Sequence, residues 1–192
     1  MRQWVTAMLA MAVLVLVGCG TAPDEEPAAP PEDATTEVLA RYGLDGMSGE
    51  EIVDALDADP RERPLPVAAS VFTDEVVVRD GETEVGVPFE GDQFYVSFAP
   101  YQTFTHPCTY HALGGCQGEM VGESFHVTIT SEDGEVLVDE EMTSWTNGFV
   151  GVWLPRDINA TLAVTHADGT SGQVPISSFD GDPTCITTIE LT

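Results

Sequence analysis

The segment Thr105-His106-Pro107-Cys108-Thr109-Tyr110-His111-Ala112-Leu113-Gly114-Gly115-Cys116 carries two of the chain's four cysteines and two of its four histidines. Another cysteine, Cys185, stands seven residues before the terminal Thr192. Sulfur and imidazole donors at this density suit a thiophilic metal or a redox thiol. Cu(I) prefers thiolates, tolerates three-coordinate geometry and accepts imidazole as a further donor. Cys108, Cys116 and Cys185 are therefore candidate copper ligands, with His111 the first auxiliary ligand and His106 the second. Zinc is the second-choice occupant. Neither the seven-residue gap between Cys108 and Cys116 nor the distant Cys185 has a zinc-knuckle spacing.

Other chemistry fits the same residues. A Cys108–Cys116 disulfide would staple a small loop and leave Cys185 buried or paired with another chain. Two thiols close enough to share a metal can also oxidise to each other, and the electrons released can reduce Cu(II) to Cu(I). A Cys–His nucleophile is a third option, but no oxyanion-hole or protease signature accompanies it. If residues 108–113 form a helical turn, Cys108 and His111 share a face at i, i+3. Glu119 could orient an imidazole from behind, and Met120 reads as a core side chain. His126 falls on the polar side of an alternating strand, and His166 precedes a turn.

The chain around these residues has a marked organisation. Arg2 and the apolar run Val5 to Val17 form an export signal too short to span a bilayer comfortably. It ends in Leu16-Val17-Gly18-Cys19, which resembles a bacterial lipobox, so residues 1–18 read as a lipoprotein signal peptide and Cys19 as the lipidated N-terminus. Cys19 then leaves the metal count, and an odd three thiols remain in an oxidising compartment. Residues 19–35 are an acidic, Pro-rich tether. There is no lysine. From Cys19 onward five arginines face 33 acidic residues, a net charge of −28, which excludes nucleic acid as a partner.

Residues 36–60 read as a helical hairpin suited to packing or dimerisation, with Ser48 and Glu51 forming a capping box. Residues 61–192 change to strand patterns near 75–78, 93–98, 124–130, 136–138, 148–153, 160–165, 173–177 and 184–191. The expected fold class is α+β, a short N-terminal helical hairpin followed by a mainly antiparallel β-sandwich-like domain. The Cys/His cluster lies between two strands, in a loop of about twenty residues whose glycines Gly114, Gly115 and Gly118 permit tight turns. If the last strand pairs near an inner one, Cys185 begins beside that loop.

The pattern Phe94-Tyr95-Val96-Ser97-Phe98-Ala99-Pro100-Tyr101 followed by Thr105-His106-x-Cys108-x-x-His111-x-Leu113-x-x-Cys116-x-Gly118-Glu119 resembles the signature of the CueP periplasmic copper-binding proteins. Ala69-Ser70-Val71, Asn147-Gly148-Phe149-Val150-Gly151, Trp153-Leu154-Pro155 and Thr184-Cys185-x-Thr187-Thr188 extend the likeness over roughly residues 36–192. The resemblance implies a periplasmic metallochaperone of copper tolerance, with copper associated with the cysteines at 108, 116 and 185 and helped by the neighbouring histidines. It also implies delivery to a Cu/Zn superoxide dismutase, reduction of Cu(II), and a helix-mediated homodimer. The lipobox and acidic tether depart from the pattern and imply an extracytoplasmic, membrane-anchored member carrying palmitate or a similar acyl group. The competing expectation is an exported β-sandwich binding or structural lipoprotein with a Cys108–Cys116 disulfide.

Overall fold

A computed structural model describes residues 32–192. The expectations placed on segment 1–18, on Cys19 and on the tether up to residue 31 lie outside the described residues. Helix α1 spans Glu32–Arg41 and α2 spans Gly49–Asp57. The first begins four residues before the expected Thr36. The capping box at α2 is present: Glu51 N–H donates to Ser48 Oγ at 3.3 Å, and Ser48 N–H donates to the Glu51 carboxylate at 3.0 Å.

Ten strands follow among the described residues: β1 Ala68–Val71, β2 Glu75–Asp80, β3 Thr83–Pro88, β4 Gln93–Phe98, β5 Ser124–Ser131, β6 Val136–Thr143, β7 Val150–Pro155, β8 Asn159–His166, β9 Ser171–Ser177 and β10 Cys185–Ile186. β1 and β3 go beyond the sequence expectation. Both are short, and Gly86 and Pro88 weaken the strand signal of β3; pairing with the apolar β2 makes them strands. The expected final strand 184–191 contracts to two residues plus an isolated bridge from Glu190 to Tyr101.

The strands form three sheets, ordered β1-β2-β3, β10-β4-β7 and β6-β5-β8-β9. Every pairing is antiparallel except β10 with β4. The second and third sheets bury one core between them, with Phe94, Val96 and Phe98 of β4 and Leu154 of β7 gathered with Phe125, Val127 and Ile129 of β5 and Leu162 of β8. The α+β, sandwich-like expectation holds. A second core joins the helices to the first sheet through Ile52, Val53, Leu56, Val76, Val78 and Val85, and it includes Tyr95 and Leu113.

β4 therefore buries both faces. Alternation sends Phe94, Val96 and Phe98 into the sandwich and turns Tyr95 and Ser97 the other way. On β7, Gly151 is paired with Ser97, and a Cβ there would lie 1.9 Å from the Tyr95 hydroxyl. The bare glycine lets that hydroxyl cross the neighbouring strand.

The connection 99–123 returns along β1. Val71 N–H donates to His111 O at 2.8 Å, Leu113 N–H to Ala69 O at 2.9 Å and Leu65 N–H to Gly114 O at 2.7 Å. These bonds occupy the backbone groups that a turn of helix would need, so residues 108–113 are extended and looped, not helical. Gly114 is required by close approach: a Cβ would sit 2.1 Å from Val67 O. Gly114→Ala is expected to force the loop off β1 and to cost about 1–3 kcal/mol, read as a lower denaturant midpoint with unchanged slope. A wild-type midpoint would contradict this docking.

Candidate metal centre

Three independent backbone attachments bring the donors together. The loop lies on β1, as described. Cys185 N–H donates to Thr109 O at 3.1 Å, while the parallel pairing of β10 with β4 places Cys185 opposite Ser97. Thr184 then fixes His111: its hydroxyl accepts the His111 N–H at 3.0 Å and donates to Val71 O at 2.7 Å. Arg63 closes the assembly from the helical side. Its guanidinium donates to Leu56 O and Asp57 O at the end of α2 and to Leu113 O in the loop, at 2.9, 3.2 and 2.9 Å. Cationic donors at a helix C-terminus satisfy carbonyls that the helix leaves open.

Cys108, Cys116, Cys185, His111 and His106 all converge here. The three thiols are free, with Cys108 Sγ and Cys116 Sγ 3.6 Å apart and Cys185 Sγ 3.7 Å from His111 Nδ1. Ligand atoms of His106, Cys108 and Cys116 all lie within 4.8 Å of one another, and so do those of His111, Cys116 and Cys185. Ala112 N–H points at Cys116 Sγ at 3.4 Å. The Phe149 ring covers His111 at 4.6 Å between centroids and meets the His106 ring edge-on at 6.3 Å.

Behind His111 stands a residue that the motif does not contain. Asp57, the last residue of α2, is fully buried and takes four side-chain donors. His111 Nε2 lies 3.1 Å from Oδ1, and Asn147 Nδ2 donates to the same oxygen at 2.5 Å. The Tyr95 hydroxyl donates to Oδ2 at 2.5 Å and Ser97 Oγ at 3.3 Å. With Nε2 committed to the carboxylate, Nδ1 is the nitrogen that faces the thiols. Sequence could have flagged Asp57: it sits four residues after Val53, on the apolar stripe of α2, where an unpaired acid has no reason to be. The helices thus contribute to the site's chemistry as well as to packing.

Electrostatics follow from these contacts. Burial alone would raise the Asp57 carboxyl, but the charge and hydrogen bond of His111 hold it below its ordinary value. Burial disfavours the His111 imidazolium, yet the Asp57 carboxylate, then Cys116, lift it to about 9. Hydrogen bonds from Cys108 and Cys185, followed by His111, pull the Cys116 thiol far down. Cys108 rises to about 11, chiefly because it donates to Cys116, and Cys185 rises through Cys108, Cys116 and its own burial. Of the three thiols Cys116 is the one these contacts favour as thiolate, the ligating form. Carboxylate, imidazolium and thiolate alternate in sign, and a soft cation can replace the proton on Nδ1.

The remaining histidines and helpers stay apart from this centre. His126 is exposed beside Asp139 and Glu141 at 3.0 and 3.3 Å, and His166 lies between Glu123 and Asp168 at 3.2 and 3.0 Å. Met120 packs in the sandwich core. Glu119 orients no imidazole; its carboxylate instead accepts Gln102 N–H at 2.7 Å, Thr103 N–H at 3.0 Å and the Thr103 hydroxyl, because those open donors of the loop turn are the groups within reach.

Fold and donors together define an α+β protein in which sulfur and imidazole groups that could hold a soft metal are gathered at one largely buried point. The sequence profile of the family described as periplasmic copper-binding protein CueP matches residues 51–190, and the chain belongs to that family. A solved crystal structure, that of S.CueP, superposes with a TM-score of 0.79 at 44% identity, covering 86% of this chain and 100% of that one. A comparison with curated protein sequences gives no match.

The Asp57 network carries its own test. In the metal-free protein the His111 ring should titrate near 9 by NMR, and Asp57→Asn should bring that midpoint down. Asp57→Ala should destabilise the fold by about 3–5 kcal/mol, because it leaves the buried donors of Tyr95, Ser97 and Asn147 and the His111 ring without their acceptor. An unshifted ring titration in the Asn variant would show that the carboxylate does not control His111.

Proposed function

We propose that the protein sequesters Cu(I) through the thiolates of Cys108, Cys116 and Cys185, with His111 as the auxiliary nitrogen ligand and His106 as the second, and passes it on as a metallochaperone in copper tolerance. The convergence of three free thiols and two imidazoles at one largely buried point carries this reading. It agrees with the copper-binding character of the family. Two or three soft sulfurs with one nitrogen match Cu(I) better than zinc, whose structural sites favour four tetrahedral ligands. A periplasmic Cu/Zn superoxide dismutase is a fitting class of recipient.

The 3.6 Å approach of Cys108 to Cys116 favours a second activity of the same site. Their two thiols can give up two protons and two electrons as the disulfide forms, reducing two Cu(II) ions to Cu(I). The lipobox supports anchoring through acylated Cys19 on the outer side of a membrane, with a tether running from Cys19 to the start of α1 at Glu32, the two helices up to residue 60 as the unit that pairs two copies, and 61–192 as the copper-binding domain.

Replacing Cys108, Cys116 and Cys185 together by serine should leave the far-UV circular dichroism intact and lower Cu(I) affinity by at least about a hundredfold in competition with a Cu(I) chelator. Wild-type affinity in that variant would end the proposal. Cys19→Ser should move the protein from the membrane fraction to the soluble fraction; retention in the membrane would exclude lipid anchoring at this residue.

A further inference from the structure

The ligand atoms are arranged as two triads that overlap at one residue. His106, Cys108 and Cys116 make one, and His111, Cys116 and Cys185 make the other, each with all three atoms within 4.8 Å of one another. The two differ in access. His106 and Cys108 are half-buried, whereas His111 is 0% exposed and Cys185 2%. Asp57 and Phe149 wall the inner set, and β4 backs it through the pairing of Cys185 with Ser97. An ion arriving from solvent meets His106 and Cys108 before it can meet His111 and Cys185.

We infer that Cu(I) occupies two successive positions that share Cys116, a receiving position at His106–Cys108–Cys116 and a holding position at His111–Cys116–Cys185. This rests on the Cu(I)-binding reading and deepens it. The transfer is a ligand exchange at constant oxidation state. The bonds from copper to the His106 nitrogen and to Cys108 Sγ break as bonds to Cys185 Sγ and His111 Nδ1 form, while Cys116 Sγ stays bound. The vacated Cys108 takes the proton that leaves Cys185, and the proton on His111 Nδ1 leaves to solvent through the half-exposed face. At every stage copper keeps at least one thiolate, so the soft ion is never stripped to water. The arrangement separates two tasks. His106 and Cys108 govern how fast copper enters, and His111 and Cys185 govern how long it stays.

Stopped-flow transfer of Cu(I) from a chromogenic chelator to the metal-free full chain, and its return when excess chelator is added, reads the two tasks separately. His106→Asn should slow loading about tenfold with a smaller effect on return, and Cys185→Ser should keep rapid capture but speed return about a hundredfold. Cys185→Ala, checked with the serine variant by circular dichroism, guards against a folding defect at this buried position. If the His106 and Cys185 variants change loading and return in the same proportions, copper has a single position and the inference falls. Wild-type protein that takes up no Cu(I) would instead remove the copper-binding reading on which it stands.

Discussion

The carboxylate of Asp57 is the charge that the rest of this structure must accommodate. A carboxylate buried without partners would be prohibitively costly, so its presence requires every lone-pair direction to be met. The four donors that meet it come from separate parts of the chain: Tyr95 and Ser97 from β4, Asn147 from the turn before β7, and His111 from the long loop. Satisfying one buried charge therefore fixes the end of α2, the inner strand of the sheet and the metal-facing loop relative to one another. Gly151 belongs to the same constraint, since only a residue without a side chain leaves the Tyr95 hydroxyl its path.

That constraint propagates into the chemistry of the thiols. Held by Asp57, His111 keeps a positive charge against burial and presents Nδ1 toward sulfur. The imidazolium adds to the hydrogen bonds from the neighbouring thiols in favouring thiolate at Cys116, which also receives the Ala112 N–H. The same contacts favour negative charge at Cys116 and positive charge at His111, so the pair is suited to exchanging a proton for a metal cation. A wholly apolar setting would have kept all three thiols protonated and left the metal to displace three protons at once. The acidic surface, with a formal net charge of −27, adds a weaker long-range attraction for cations.

Much of this was legible in the sequence because it follows local rules. Period-two alternation marked β5 and β8, the Ser48–Glu51 pair marked the start of α2, and an odd number of thiols pointed away from a purely disulfide-stapled loop. The approach of Cys185 was legible as a topological expectation, and the parallel β10–β4 pairing is its physical cause. Asp57 offered only one hint, an acid on the apolar stripe of α2, and Arg63 offered none. Both are charged residues in a strongly acidic chain, and each acquires its role from contacts fifty or more positions away, at His111 and Leu113. The loop conformation was hidden for a similar reason: β1, a weak strand by composition, supplies the hydrogen bonds that hold residues 111–114 against it.

The donors themselves divide according to what holds them. Cys185 belongs to a strand bonded to the central sheet, and His111 is gripped at its backbone by Thr184 and at its ring by Asp57. His106 and Cys108 lie on the half-exposed part of the loop, tied mainly through Thr105 Oγ1 to Thr187 O at 2.7 Å and through the Cys108 thiol to Tyr110 O at 3.4 Å. Rigid, buried ligands set a coordination geometry that the metal must accept, which favours retention and selectivity. Loosely tied, partly exposed ligands can adapt to a donor or recipient protein during exchange. Cys116 stands between the two groups, anchored by the turn at 112–116 yet in reach of both sets of ligands. For the proposed capture and release of copper the two kinds of ligand would divide the work, and the shared sulfur of Cys116 is the shortest connection between them.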